Sequence, residues 1–212
     1  PGIKFTAKRV LRFGIVLLGT QLAVSQVIEL GGAELLVVIA VVTITFLGTM
    51  WLGPRLGVSR PLSLLVATGF SICGASAVAA MEGVAEADEE EVTYAIALVT
   101  LCGSLAIILL PSLRDLAGLA NPELFGAWVG ASVHDVAQVI ATSSTGGDAA
   151  VHSATVVKLS RVVLLAPLVA IVSIWLRTPR TGLTSRQGAK SPTIVPIFVL
   201  GFLAMILVRT SG

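Results

Sequence analysis

Long apolar runs separated by short polar connectors dominate the chain. Leu35 to Pro54, Pro61 to Met81 and Val92 to Leu113 hold no charged residue, and each is close to the roughly 20 apolar residues that a helix needs to cross about 30 Å of hydrocarbon. Phe13 to Ile28 and Ser191 to Val208 are shorter runs bounded by Arg12 and Glu29 and by Lys190 and Arg209. Leu124 to Thr142 and Ala149 to Leu176 complete the series, and both contain ionisable groups. The pattern predicts an all-α polytopic membrane helix bundle in a single domain, with helices over 9–30, 34–53, 60–82, 91–113, 123–143, 149–177 and 191–209.

Two of these helices are expected to break. Thr68 to Ser76 reads TGFSICGAS and Gly126 to Ser132 reads GAWVGAS. Glycine weakens a helix by about 1 kcal/mol relative to alanine. Small residues either let neighbouring helices pack closely or mark a discontinuous helix whose freed amides and carbonyls hold a substrate or ion. Both segments contain Gly-Ala-Ser, at Gly74 to Ser76 and Gly130 to Ser132, yet seven crossings run both in the same direction.

Composition supports the bilayer reading: 55% of the 212 residues are hydrophobic and 12% charged, too few charges to cover a soluble surface. Threading seven crossings with the N-terminal segment in the cytoplasm puts Lys4, Lys8, Arg9, Arg12, Arg55, Arg60, Arg114, Arg177, Arg180, Arg186 and Lys190 on one side, leaving only Arg209 on the other. The acids Glu29, Glu34, Glu82, Glu86, Asp88 to Glu91 and Asp148 then lie outside. The expected location is the bacterial cytoplasmic membrane. Cys73 and Cys102 sit in apolar segments, so no disulfide framework is expected. Pro1 to Lys8 has no secretory-signal pattern, and without an initiating Met the chain is expected to be a segment of something longer.

The charges inside apolar sequence carry the candidate chemistry. A charge at membrane depth costs at least about 2.5 kcal/mol, so such residues line polar sites or pathways. On one continuous helix, His134, Asp135, Gln138 and Thr142 share a face, and Lys158 and Arg161 lie on the next helix, too deep to reach its outer surface easily. Arginine offers a fork of donors suited to oxyanions and lysine a compact point charge. The expected substrate contacts are Ser71, Cys73, Gly74, Ser76, Ser132, Lys158 and Arg161, with His134, Asp135 and Gln138 coupling or gating. The bland alternative is a salt bridge from Asp135 to Lys158 or Arg161 that locks two helices together. Adjacent residues on a helix point about 100° apart, which disfavours a Ser132, His134, Asp135 triad. No metal motif is present, and neither an enzyme nor a nucleic-acid partner is expected.

PGIKFTAKRVLRFGIVLLGTQLA at the start, SICGASAVAA at Ser71 to Ala80, GASVHDVAQV at Gly130 to Val139 and ATVVKLSRVVLLAP at Ala154 to Pro167 together resemble the YeiH-type sulfate-exporter family of bacterial membrane proteins. The resemblance covers essentially the whole chain. It implies about two helices before Pro1, another pair after Gly212, and an inverted-repeat transporter with crossed broken helices, in which the partner of the Ser71 to Ser76 break lies beyond Gly212. The combined expectation is a secondary transporter exporting a small inorganic or sulfur-containing anion, with no cofactor beyond a coupling proton or sodium ion, and a homodimer as the oligomer to test. A proton- or sodium-coupled cation antiporter centred on Asp135 is the alternative; a membrane-embedded enzyme or structural subunit is the reading from a different class.

Overall fold

A computed structural model describes residues 31–177, together with residues 13, 16, 17, 201, 204, 205 and 207–210. The expected helices 9–30 and 191–209 lie almost wholly outside the described residues. Within 31–177 the elements are α1 (Gly31–Arg55), α2 (Arg60–Ser71), α3 (Ala75–Ala85), α4 (Glu89–Leu113), α5 (Pro122–Ser132), α6 (Val136–Ser143), a 3₁₀ turn (Ser144–Gly146), α7 (Asp148–Val163) and α8 (Leu165–Arg177), and no strand occurs among the described residues. The segments Glu34–Arg55, Glu89–Leu113 and Asp148–Leu176 are long and apolar enough to cross a membrane.

Local sequence sets the boundaries. Ser59, Asp88 and Asn121 cap α2, α4 and α5 by accepting from the orphan amides of Leu62, Glu91 and Leu124. Pro54 and Pro111 fall in the last turns of α1 and α4. Pro167 has no N–H to offer the Val163 carbonyl four residues back, and α7 gives way to α8 there.

The segments 60–82 and 123–143 were expected to run through the bundle, and they do not. A continuous helix over 60–85 would separate its ends by roughly 39 Å. Instead the Ser59 hydroxyl at the start of α2 donates to the Glu91 carboxylate at the start of α4. A Cβ added to Gly69 would lie 2.9 Å from Val78 Cγ2, a pairing that only a folded-back chain allows. So α2 and α3 form a helical hairpin with its tip at Ile72–Gly74. The second pair behaves alike: Phe125 and Gly146 would be roughly 30 Å apart on one helix, yet a Cβ on Gly146 would touch the Phe125 ring at 2.8 Å, and Val129 and Val139 share one buried cluster with Phe125 and Ala150.

These hairpins enter from opposite ends. Hairpin 1 follows the Arg55 end of α1, and hairpin 2 follows the Leu113 end of α4, beside the Glu34 end of α1, where Glu34, Asn121, Glu123 and His152 line one cavity. The expected charge partition changes accordingly. Glu86 to Glu91 share an end with Arg55 and Arg60 because hairpin 1 returns the chain to the end it left, and Arg114 moves to the other end. The expected opposition of acids and bases rested on counting each hairpin as a crossing.

The breaks also differ from expectation. Gly74 has φ +73° at the tip of hairpin 1, a conformation glycine adopts without penalty, and its amide reaches back to Gly69 O at 2.9 Å. In hairpin 2 the interruption is not at Gly126 or Gly130 but at Val133 to Asp135, with Val133 and Asp135 extended. Gly126 and Gly130 serve close packing of α5 on α7: an added Cβ would stand 2.2 Å from Ala150 O and 2.4 Å from Ala154 O. By contrast, a Cβ on Gly48 or Gly83 would meet nothing within 4 Å. Gly126→Ala and Gly130→Ala should therefore each destabilise the full-length protein by about 1–3 kcal/mol, and Gly48→Ala and Gly83→Ala should leave it unchanged or raise its stability by up to about 1 kcal/mol. Thermal denaturation in detergent measures both pairs, and equal effects would contradict the packing assignment.

Candidate functional site

The two hairpin tips meet at α7, and the meeting point is built around Lys158 and Arg161. Both side chains are buried, at 0% and 1% exposure. The last carbonyls of a helix have no partner within it, and each helix C-terminus carries about half a negative charge. The C-terminal ends of α2 and α5 both stop at this junction, so their carbonyls need donors where water is scarce.

Arg161 supplies five. Its Nε donates to Ser71 O at 3.0 Å, one terminal nitrogen to Gly130 O and Ala131 O at 3.2 and 2.6 Å, and the other to Phe70 O and Ser71 O at 2.8 and 2.7 Å. A guanidinium has five N–H donors, so the full set is engaged with backbone. The ammonium of Lys158 donates to Ile72 O at 2.6 Å and Val133 O at 3.0 Å, again one tip each. The two cations thus tie together half-helices arriving from opposite ends.

The remaining residues singled out from sequence are distributed around this clamp. Ser71 contributes its carbonyl to Arg161, while its hydroxyl donates locally to Thr68 O at 3.3 Å. Cys73 is a free, buried thiol in the tip of hairpin 1. Gly74 faces the other tip, since a Cβ there would lie 3.6 Å from His134 O, and it precedes α3 with no side-chain cap. Ser76 is half-buried in the first turn of α3. Ser132 ends α5 and donates to Trp128 O at 2.7 Å.

His134 and Asp135 do not lie on a common helical face with Gln138 and Thr142 as a continuous helix would require, because they occupy the break. Asp135 instead caps α6, accepting from Ala137 N at 2.9 Å, and no ion pair joins it to Lys158 or Arg161 among the described residues. Its position before an apolar run is an N-cap signal that the sequence did carry. The His134 ring stacks on Phe70 at 4.6 Å between centroids, with 23° between the planes. Gln138 reaches Thr100 O on α4 at 3.3 Å, and Gly103 makes room for it: an added Cβ would fall 1.9 Å from Gln138 Oε1. Phe70, Thr100 and Gly103 were not foreseen, although a lone glycine in α4 was available as a signal.

Two polar atoms at this junction, His134 Nδ1 and Gln138 Oε1, are buried without a hydrogen-bond partner. Buried polar atoms rarely stay unpaired. In charge terms, the two cations face about one negative charge from the paired C-termini, which leaves a positive excess of about one before the half-buried Asp135 is counted. The junction suits an anion or a neutral acceptor-rich group more than a third cation.

Arg161→Ala should destabilise the protein by about 3–5 kcal/mol by leaving buried groups unmatched. Arg161→Lys should recover only part of this, since the fork and not the charge alone is used. Ser71→Ala removes one local hydroxyl bond and should cost about 1 kcal/mol or less. Denaturation of the three variants of the full-length protein measures the order, and an Arg161→Lys protein as stable as wild type would contradict the clamp.

Residues 1–212 match the family described as Conserved hypothetical protein 698. A UPF0324 membrane protein of Corynebacterium glutamicum is 46% identical over 211 residues, covering all of this chain and 60% of the relative. A UPF0324 membrane protein of Bacillus cereus is 34% identical over 211 residues, with 59% of the relative covered. The UPF0324 membrane protein TauZ of Paracoccus pantotrophus is 35% identical over 215 residues, with 63% covered. The chain therefore spans about 60% of the length of these curated relatives. No solved structure matches it. Matched along its whole length, and sharing the resemblance first seen in four motifs, the chain belongs to the Conserved hypothetical protein 698 family of UPF0324 membrane proteins.

Proposed function

We propose that this chain forms the hairpin core of a secondary transporter that carries a small inorganic or sulfur-containing anion across the bacterial cytoplasmic membrane, with the junction of the two tips as its binding site. The observation that carries the reading is the pair of buried cations at the point where two hairpins from opposite ends meet. Broken helices at membrane depth are tolerated where they are buried in protein or line a cavity, and half-helix ends of this kind hold substrates and ions in transporters. Among the described residues neither cation pairs with a carboxylate, and the helix C-termini offset only about one of their two charges, so a positive field remains for an anion.

The contacts support a role for each residue. Arg161 holds the tips and acts on the anion through its field, since all its donors are engaged with backbone. Lys158 has a third ammonium proton beyond the two bonds to Ile72 O and Val133 O. Ser76, Ser132, His134 and Gln138 are half-buried and supply neutral polar contacts, and the uncapped amides that open α3 add donors. Asp135 balances the charge when no anion is bound. The end bearing Arg55, Arg60 and the C-terminus of α8 at Arg177 faces the cytoplasm, because the opposite end carries Arg114 alone among the described arginines between 31 and 177.

Flux by the full-length protein in proteoliposomes tests this, scanned across sulfate, sulfite, thiosulfate and organic sulfonates at two pH values. One of these anions should be carried, and His134→Ala and Gln138→Leu should each lower its flux about tenfold, the effect of one lost polar contact, while each variant still folds and inserts. Absence of flux for every anion, or a sodium- or proton-driven cation flux abolished by Asp135→Asn, would overturn the reading.

A further inference from the structure

The ammonium of Lys158 occupies a position with the chemistry of a monovalent-cation site. Its two acceptors, Ile72 O and Val133 O, come from the ends of different half-helices and lie 2.6 and 3.0 Å away. Both belong to hairpin tips, and the C-terminal ends of broken helices are where transporters coordinate sodium ions. Around them stand the four further carbonyls that Arg161 engages, Phe70, Ser71, Gly130 and Ala131. The lysine end of the arrangement is closed from solvent, with Lys158, Ile72 and Val133 each at 0% exposure. The two residues differ in kind: the guanidinium spreads across four carbonyls in a fixed plane, whereas the lysine ammonium is a compact, rotatable point charge, close in character to a bound ion.

We infer that Lys158 is a tethered substitute for a coupling cation. It fills a monovalent-cation site shared by the two tips, so the wild-type junction binds no sodium or potassium ion there, and the charge that joins the tips travels with α7 instead of being drawn from either solution. The bearing of this on coupling rests on the transport reading above; the cation site itself rests only on the contacts. Truncating the side chain leaves a cleft the size of the lysine stem that ends at two carbonyls, a shape that accepts a primary alkylammonium ion.

Thermal stability of the purified full-length protein tests the site without recourse to flux. The wild type should show one Tm in sodium, potassium and choline chloride at equal ionic strength. Lys158→Ala should lose on the order of 5–10 °C, and n-propylammonium chloride should restore most of that loss with a saturating concentration dependence, as mass action requires of a ligand of the folded state. Tetramethylammonium, which has no N–H, should not. Lys158→Met keeps the stem without the charge, and should be destabilised and insensitive to propylammonium. A sodium-dependent wild-type Tm, a Lys158→Met protein as stable as wild type, or a Lys158→Ala protein indifferent to propylammonium would each overturn the inference. Should Lys158→Ala fail to fold with and without propylammonium, the wild-type and Lys158→Met results decide alone. A protein that passes these tests but moves no anion discards the transport reading and keeps the cation site.

Discussion

Backbone carbonyls left at the end of a helix cannot be abandoned in hydrocarbon, where each unsatisfied group costs several kcal/mol, and this constraint organises the protein. Two half-helices, α2 and α5, end in the interior of the bundle with their last carbonyls pointing at the same place. Water meets that need at a surface; here two basic side chains on α7 do it, with Arg161 making five bonds and Lys158 two. The expense of burying both cations and the expense of exposing the carbonyls offset each other. Removing either partner exposes the other's unfavourable term.

Packing serves the same arrangement. Hairpin 1 is wrapped by apolar contacts from α4, α7 and α8, with Leu65, Ile72, Met81, Val99 and Leu165 fully buried in one cluster. Hairpin 2 reaches comparable closeness through glycine, where Gly126 and Gly130 let α5 lie directly on the α7 backbone. That contact sets the depth at which α5 ends, and so brings Gly130, Ala131 and Val133 within reach of Lys158 and Arg161.

Much of this was legible in the sequence, and the part that was not has a physical reason. The charge-free runs announced membrane helices, TGFSICGAS announced a break that falls at Ile72–Gly74, and the depth of Lys158 and Arg161 in apolar sequence marked them for the interior. Hydropathy, however, measures apolar length and not direction. The 12 and 11 residues of α2 and α3 add up to the length of one crossing, and a hairpin reads the same as a span. From that ambiguity came the misplacement of Glu86 to Glu91 relative to Arg55, and the expectation that Thr68 to Ser76 and Gly126 to Ser132 run in the same direction, where α2 and α5 enter from opposite ends. Donor chemistry was ambiguous in the same way: a buried arginine in a sequence advertises five donors without saying whether an anion or a row of carbonyls receives them.

Hairpins that return to the end they left are the claim on which the junction depends, and interspin distances in the full-length protein test it directly. With labels at Arg60→Cys and Glu90→Cys, and separately at Arg60→Cys and Asp148→Cys, pulsed electron paramagnetic resonance in lipid nanodiscs should give a short first distance and a second of about 30 Å or more, the thickness of the hydrocarbon core. A first distance as long as the second would mean that residues 60–85 cross the membrane, and the meeting of two tips at Lys158 and Arg161 would be lost with it.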